Sequence, residues 1–240
     1  MTMAATAREI VLLPGLDGTG DLFDRLAAGL AEEFTVKVVR YPNDPSLGYA
    51  GYAELVRNVI GRREVFLLGE SFSGPVAVRV AAQLGSQIKG LVLAATFLKN
   101  PWPSWLIRWA SHAEPDATPK KIRDAILMGS YGDDELRNKV DQIVRSLSRP
   151  VRTARLRAIA EVDVRDDFAK LSCPILVLHG RKDWLVSMTA MQKAVCNKGG
   201  ARIVAFSAAH MLLQTCADEA AKEIRAFAKS KTLWEAQYED

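Results

Sequence analysis

Residues 65–74 read Val65-Phe66-Leu67-Leu68-Gly69-Glu70-Ser71-Phe72-Ser73-Gly74. An apolar run enters a glycine, a charged residue and a serine, and a helix-like segment continues to about Leu84. So short and so apolar a run suits a strand buried on both faces of a parallel sheet. The residues from Gly69 onward come close to G-x-S-x-G, in which small neighbours let strand and helix approach while the serine sits on a strained turn with its hydroxyl clear of the sheet. Gly69 fills the first small position. Ser73 stands at the last, with Gly74 one residue later, so the match is near rather than strict. Alone, such a pentapeptide also fits an ordinary strand-turn-helix junction, and its context has to decide.

Outward from the elbow, short apolar runs alternate with helical patterns. Ile10–Leu13 closes on Pro14-Gly15-Leu16-Asp17-Gly18-Thr19-Gly20, a buried strand entering a Gly-rich loop. Leu22, Phe23, Leu26, Ala27 and Leu30 recur at helical spacing, Phe34–Val39 returns to strand character, and Leu55, Val56, Val59 and Ile60 mark a second helix. Beyond the elbow helix, Ile88–Ala95, Ile175–Leu178 and Arg202–Phe206 read as further strands, with a helix near Thr189–Val195 and a closing helix through Ala226. The order predicts an α/β fold, a mostly parallel sheet flanked by helices on both faces. Residues 1–7 and the charged tail after Lys229 read as peripheral.

The alternation lapses between about Thr96 and Lys170. Residues 96–170 are therefore expected to be a helical cap inserted into a core made of 1–95 and 171–240. The cap carries Trp102, Trp105, Leu106 and Trp109 at i, i+3, i+4, i+7, then helical stretches over Ile122–Met128 and Leu136–Leu147. The tryptophans read either as the cap's own core or as an apolar wall over a substrate pocket.

Length and composition fit one such unit: 240 residues, 49% of them apolar, support a large core. A net charge of +4, from 32 basic and 28 acidic residues spread along the chain, gives no nucleic-acid signature. Cys173, Cys196 and Cys216 are odd in number and lack metal-ligand spacing, so they read as buried free thiols in a reducing, cytoplasmic setting. No stretch has the length of a membrane span or the flanks of a signal peptide.

A serine nucleophile needs a histidine to take its proton and a carboxylate to orient that histidine. If the acid precedes the histidine in the chain, only His210 qualifies as base, because it follows the last strand at the edge where the elbow presents Ser71. His112 and His179 are then structural or pocket-lining. The strand Ile175–Leu178 runs into His179-Gly180-Arg181-Lys182-Asp183, which brings Asp183 to that same edge, whereas the preceding strand ends on Thr96-Phe97-Leu98-Lys99-Asn100 with no carboxylate. Asp166 and Asp167 read as solvated. Backbone N–H groups of Leu16 and Phe72 are the candidate oxyanion donors. No cofactor and no metal enter this scheme.

Taken together, LLPGLDGTG, GESFSG, HGRKDWLV and SAAH resemble the α/β-hydrolase superfamily over nearly the whole chain. The second half, VDVRDDFAKLSCPILVLHGRKDWLV followed by FSAAH, is similar to small carboxylesterases related to the pimeloyl-carrier-protein methyl ester esterase. Pro14 departs from the histidine of many members, and Ser73-Gly74 from the usual final glycine. The resemblance implies an α/β-hydrolase fold with a lid, a Ser71–His210–Asp183 triad, an acyl-enzyme on Ser71 and a small ester substrate. Arg145, Arg149, Arg152, Arg155 and Arg157 form a basic stretch late in the cap, read as a solvated helix face or, at Arg149, Arg152 and Arg155, as a site for an acidic partner such as an acyl carrier protein or a coenzyme A phosphate. Two other classes stay open. One is a binding protein without catalysis on the same fold. The other is a nucleotide-dependent oxidoreductase, which the spacing Gly15-x-x-Gly18-x-Gly20 and the lack of an acid after Arg40-Tyr41 disfavour.

Overall fold

Each apolar run read as a strand pairs in register with another. The computed structural model describes residues 8–112, 118–196 and 198–235. Its sheet consists of β1 (Arg8–Leu13), β2 (Phe34–Val38), β3 (Val65–Glu70), β4 (Ile88–Ala94), β5 (Ile175–Gly180) and β6 (Ala201–Phe206). They lie in the order β2-β1-β3-β4-β5-β6, and every pairing is parallel.

The reason the runs are continuous rather than alternating lies in the two cores. Val11, Leu13, Val65, Leu67, Leu91, Leu93 and Val177 face one side, under α2 (Tyr49–Ile60), α3 (Gly74–Leu84) and residues of the later helices. Their neighbours Ile10, Leu12, Phe66, Leu68, Val92, Leu176 and Leu178 face the other, under α1 (Asp24–Leu30) and the C-terminal helices. Burying one such side chain stabilises the fold by about 1.5–3 kcal/mol. That outweighs an exposed ion pair such as Arg202–Glu223, worth roughly 0–1 kcal/mol.

Strand order reverses between β1 and β3. Their carboxyl ends therefore diverge into a crevice, the place where open α/β sheets take ligands. Between β4 and β5 come α4 (Ser104–His112), α5 (Lys120–Leu127), α6 (Asp134–Ser146), α7 (Arg149–Glu161) and α8 (Arg165–Lys170). After β5 come α9 (Met188–Val195), α10 (Leu212–Thr215) and α11 (Ala217–Glu235). The last helix runs well past Ala226, so the segment after Lys229 continues it to Glu235. Residues 1–7 lie outside the described residues.

The cysteines are free but not buried: Cys196 is exposed at the end of α9, and Cys173 and Cys216 are half-buried. Among the described residues no helix is long and apolar enough to cross a membrane.

Candidate active site

The elbow after β3 is strained in the way its sequence requires. Ser71 has φ 49°, a left-handed value that costs a non-glycine residue energy and persists only where its surroundings hold it. The Thr96 hydroxyl, from the end of β4, donates to the Ser71 carbonyl. Glycine is needed at two places beside it. A Cβ on Gly69 would lie 2.6 Å from the Ser73 carbonyl oxygen, and one on Gly74 would lie 2.0 Å from Thr96 Oγ1. The second small position is thus Gly74, one residue beyond the pentapeptide. Ser73 has separate work: wholly buried, it donates to the Pro14 carbonyl and is 2.7 Å from the Tyr41 hydroxyl, tying the elbow to the first loop.

Ser71 Oγ lies 2.8 Å from His210 Nε2, and His210 Nδ1 lies 2.8 Å from Asp183 Oδ2. The pattern assigns the imidazole tautomer, with Nδ1–H donating to the carboxylate and Nε2 open to accept from the serine. Asp183 is held in turn, because its Oδ1 accepts from the N–H groups of Leu185 (2.8 Å) and Val186 (3.1 Å). Burial opposes charge on this carboxyl, but the His210 hydrogen bond and those two donors outweigh it and hold its pKa below the usual range. His179 is buried within β5, with Nδ1 against the Gly180 carbonyl, and His112 is exposed at the end of α4. Neither lines the site cavity.

The first loop supplies the facing wall. Gly18 N–H bonds to the Gly15 carbonyl at 3.1 Å, closing a tight turn, and Leu16 N–H has no acceptor among the described residues. Phe72, next to Ser71, is fully buried against Tyr49 and Tyr52. Beside the loop lies Arg155, which corrects the reading of that residue as part of a partner-facing patch. It is 1% exposed, and its guanidinium bonds to backbone oxygens of the loop, so no docking partner can reach it. Arg149 is exposed and Arg152 is half-buried at the cavity wall.

Glu70 was not singled out from sequence, yet it ends β3 inside the site. Its Oε1 accepts from Gln214 Nε2 at 2.9 Å. Burial pushes its pKa up to about 7, a rise the Gln214 bond only partly offsets. The available signal was a carboxylate closing an otherwise apolar buried strand.

Ser71 and His210 open on a cavity of about 320 Å³ walled mainly by apolar side chains of the first loop, the inserted helices and the turn after Asp183. Trp102 lines it, with its indole N–H on the Leu185 carbonyl at 2.9 Å. Trp105 and Trp109 do not: they are 68% and 69% exposed. They are neither cap core nor pocket wall. The side of α4 turned inward carries Ile107 and Ser111, packed toward α7, where Thr153 Oγ1 bonds the Ser111 carbonyl.

A serine on a strained strand-to-helix turn, joined through histidine to a carboxylate at the carboxyl edge of a parallel sheet, is the arrangement of the α/β hydrolases. The chain belongs to the alpha/beta hydrolase family, whose model matches residues 10–223. It is similar to the pimeloyl-[acyl-carrier protein] methyl ester esterase of Aliivibrio fischeri strain MJ11, with 23% identity over 91% of this chain and 93% of the relative. The corresponding protein of Vibrio campbellii is 28% identical over 74% of this chain and 77% of its own. Among solved structures, an esterase from Exiguobacterium antarcticum superposes with a TM-score of 0.82 at 18% identity, covering 92% of each chain.

Proposed function

We propose that the protein hydrolyses carboxylic esters through an acyl-enzyme on Ser71. The observation that carries this reading is the unbroken hydrogen-bond chain from Ser71 through His210 to Asp183, opening on an apolar cavity. As Ser71 Oγ attacks the acyl carbon, His210 Nε2 takes its proton, and Asp183 stabilises the imidazolium that forms. Collapse of the tetrahedral intermediate breaks the ester C–O bond, and His210 returns the proton to the departing alcohol oxygen. Water, deprotonated by His210, then attacks the acyl-enzyme and releases the acid. The N–H groups of Leu16 and Phe72 are the proposed donors to the oxyanion, and Trp102 the proposed substrate contact. Residues 96–170 act as the lid of a core made of 1–95 and 171–240, in a cytoplasmic setting.

The test is intact mass after exposure to a small fluorophosphonate, comparing wild type with Ser71→Ala. One adduct on wild type and none on the variant supports an activated Ser71. No adduct on folded wild type shifts the reading to a binding protein without catalysis.

The activity for which the relatives are named favours a second form of this reading, in which the ester or thioester acyl chain arrives on an acyl carrier protein or coenzyme A. Arg149 and Arg152 are its remaining candidates for holding the acidic carrier. Arg149→Glu is then expected to lower kcat/KM for a carrier-bound ester by roughly tenfold while a free short ester is turned over as before. Equal effects on both substrates would remove the carrier from the proposal.

A further inference from the structure

Arg155 sits on α7 of the insertion, and among the described residues its four side-chain hydrogen bonds all reach across to the core. Nη1 donates to the carbonyls of Leu16 and Asp17, both at 2.8 Å, Nη2 to the Pro42 carbonyl at 3.3 Å, and Nε to the Tyr52 hydroxyl at 3.0 Å. The guanidinium carbon lies 5.8 Å from the Tyr41 ring centre and 5.5 Å from that of Tyr52. Every acceptor it uses is neutral. Burying a cation without a carboxylate partner is costly unless its donors are satisfied, and an apolar side chain of similar size would fill the space at less cost. For stability alone, an arginine is a poor choice here.

Its location gives the reason. The two carbonyls it holds most closely belong to the loop that faces Ser71, and the same loop is fixed from the elbow by the Ser73 hydroxyl on the Pro14 carbonyl. With the Pro14 carbonyl engaged by Ser73 from the elbow, those of Leu16 and Asp17 engaged by Arg155 from α7, and that of Gly15 closed on the Gly18 N–H, every peptide plane from Pro14 to Gly18 has its carbonyl held. Gly18 is shaped by the same contact: at φ +73°, a Cβ there would lie 2.5 Å from Arg155 Nη1. The guanidinium therefore packs directly on the loop backbone.

We propose that Arg155 is a positioning residue that sets the Leu16 N–H for the oxyanion, so that the inserted helices complete the oxyanion hole of the core. This rests on the ester-hydrolase reading above, and it assigns the insertion a part in the chemistry beyond covering the pocket. A preorganised donor acts because it needs no reorientation as charge develops, and removing one such donor costs about a hundredfold to a thousandfold in kcat. Loosening a donor, rather than deleting it, is expected to cost less.

Steady-state kinetics on a soluble short-chain nitrophenyl ester, with affinity for a trifluoromethyl ketone that adds to the serine as a hemiketal, decide the matter. Arg155→Met is expected to lower kcat roughly tenfold to a hundredfold with KM nearly unchanged, and to weaken the ketone by a similar factor, because both losses fall on the tetrahedral state. Arg155→Lys keeps the charge but not the fork, and should fall between. Low millimolar guanidinium should restore part of the turnover of Arg155→Ala, which a general loss of packing would not allow. An Arg155→Met protein that melts earlier but keeps wild-type kcat and ketone affinity overturns the proposal. If that variant does not fold, a folded Arg155→Lys with wild-type values does the same. Wild type that neither turns over the ester nor labels at Ser71 would instead remove the hydrolase reading itself, before any Arg155 variant is compared.

Discussion

Glu70 and Asp183 are two enclosed carboxyls flanking the same serine and histidine, and their surroundings drive them apart. Asp183 meets a histidine and two backbone donors, whereas Glu70 meets one amide and an apolar enclosure. With a folded pKa raised to about 7, Glu70 contributes stability that is fully present below the ordinary carboxyl value and is lost as the pH rises through 7. Between pH 5 and pH 8, wild type should lose about 3 kcal/mol relative to Glu70→Gln, measured by urea unfolding at both pH values. A pH-independent difference would place Glu70 in a wetter setting. Asp183 has the opposite sign: its depressed pKa contributes stability above the ordinary carboxyl value, lost as pH falls through the folded one. Asp183→Asn is expected to cut turnover by about ten-thousandfold at neutral pH, since the wrong histidine tautomer is then favoured. Near-normal activity in that variant would mean that another group orients His210.

At the scale of elements, the elbow depends on β3, α3 and the end of β4 meeting without a side chain between them. Gly74→Ala places a methyl against Thr96, whose hydroxyl also holds the Ser71 carbonyl, so strain there is felt at Ser71. We expect a loss of about 1–3 kcal/mol in unfolding free energy together with slower fluorophosphonate labelling, both read on the same sample. Unchanged labelling would separate the packing of the elbow from the reactivity of its serine. The sheet itself was legible because strands covered on both faces must be apolar throughout, and that leaves runs such as Val65–Leu68 in the sequence. The faces of the inserted helices were not. The spacing of Trp105 and Trp109 marks α4, although Trp102 lies two residues before that helix, and a repeat cannot say which side is covered: α4 buries Ile107 and Ser111 instead. Arg155 was misread for a related reason. In a run of arginines it has no local mark, and its acceptors lie about 100 to 140 positions earlier, two of them in the first loop, where only the folded chain brings them near.

For the molecule as a whole, the cavity depends on what keeps the helices between β4 and β5 seated on the sheet, since Ser71 and His210 follow strands while much of the cavity wall comes from those helices. Two kinds of contact join them near α1. Arg25 with Asp133 and Lys139 with Asp24 are ion pairs at 3.3 and 2.6 Å, largely exposed to solvent. Beneath them Met128 and Val140 pack with Met211, the residue after His210, and the Met211 N–H bonds to the Leu127 carbonyl at 2.9 Å. Exposed pairs are screened by salt and contribute roughly 0–1 kcal/mol each. Truncating a fully buried methionine costs about 2–5 kcal/mol. Lys139→Ala should therefore leave the urea midpoint and the turnover of a neutral ester close to wild type, in low and high salt alike. Met128→Ala should lower the midpoint clearly and reduce kcat as well, because the cavity it leaves adjoins the segment that carries His210. Should Lys139→Ala prove the more damaging of the two, electrostatic seating of the insertion would outweigh the apolar contact, and salt would then be expected to inhibit the enzyme.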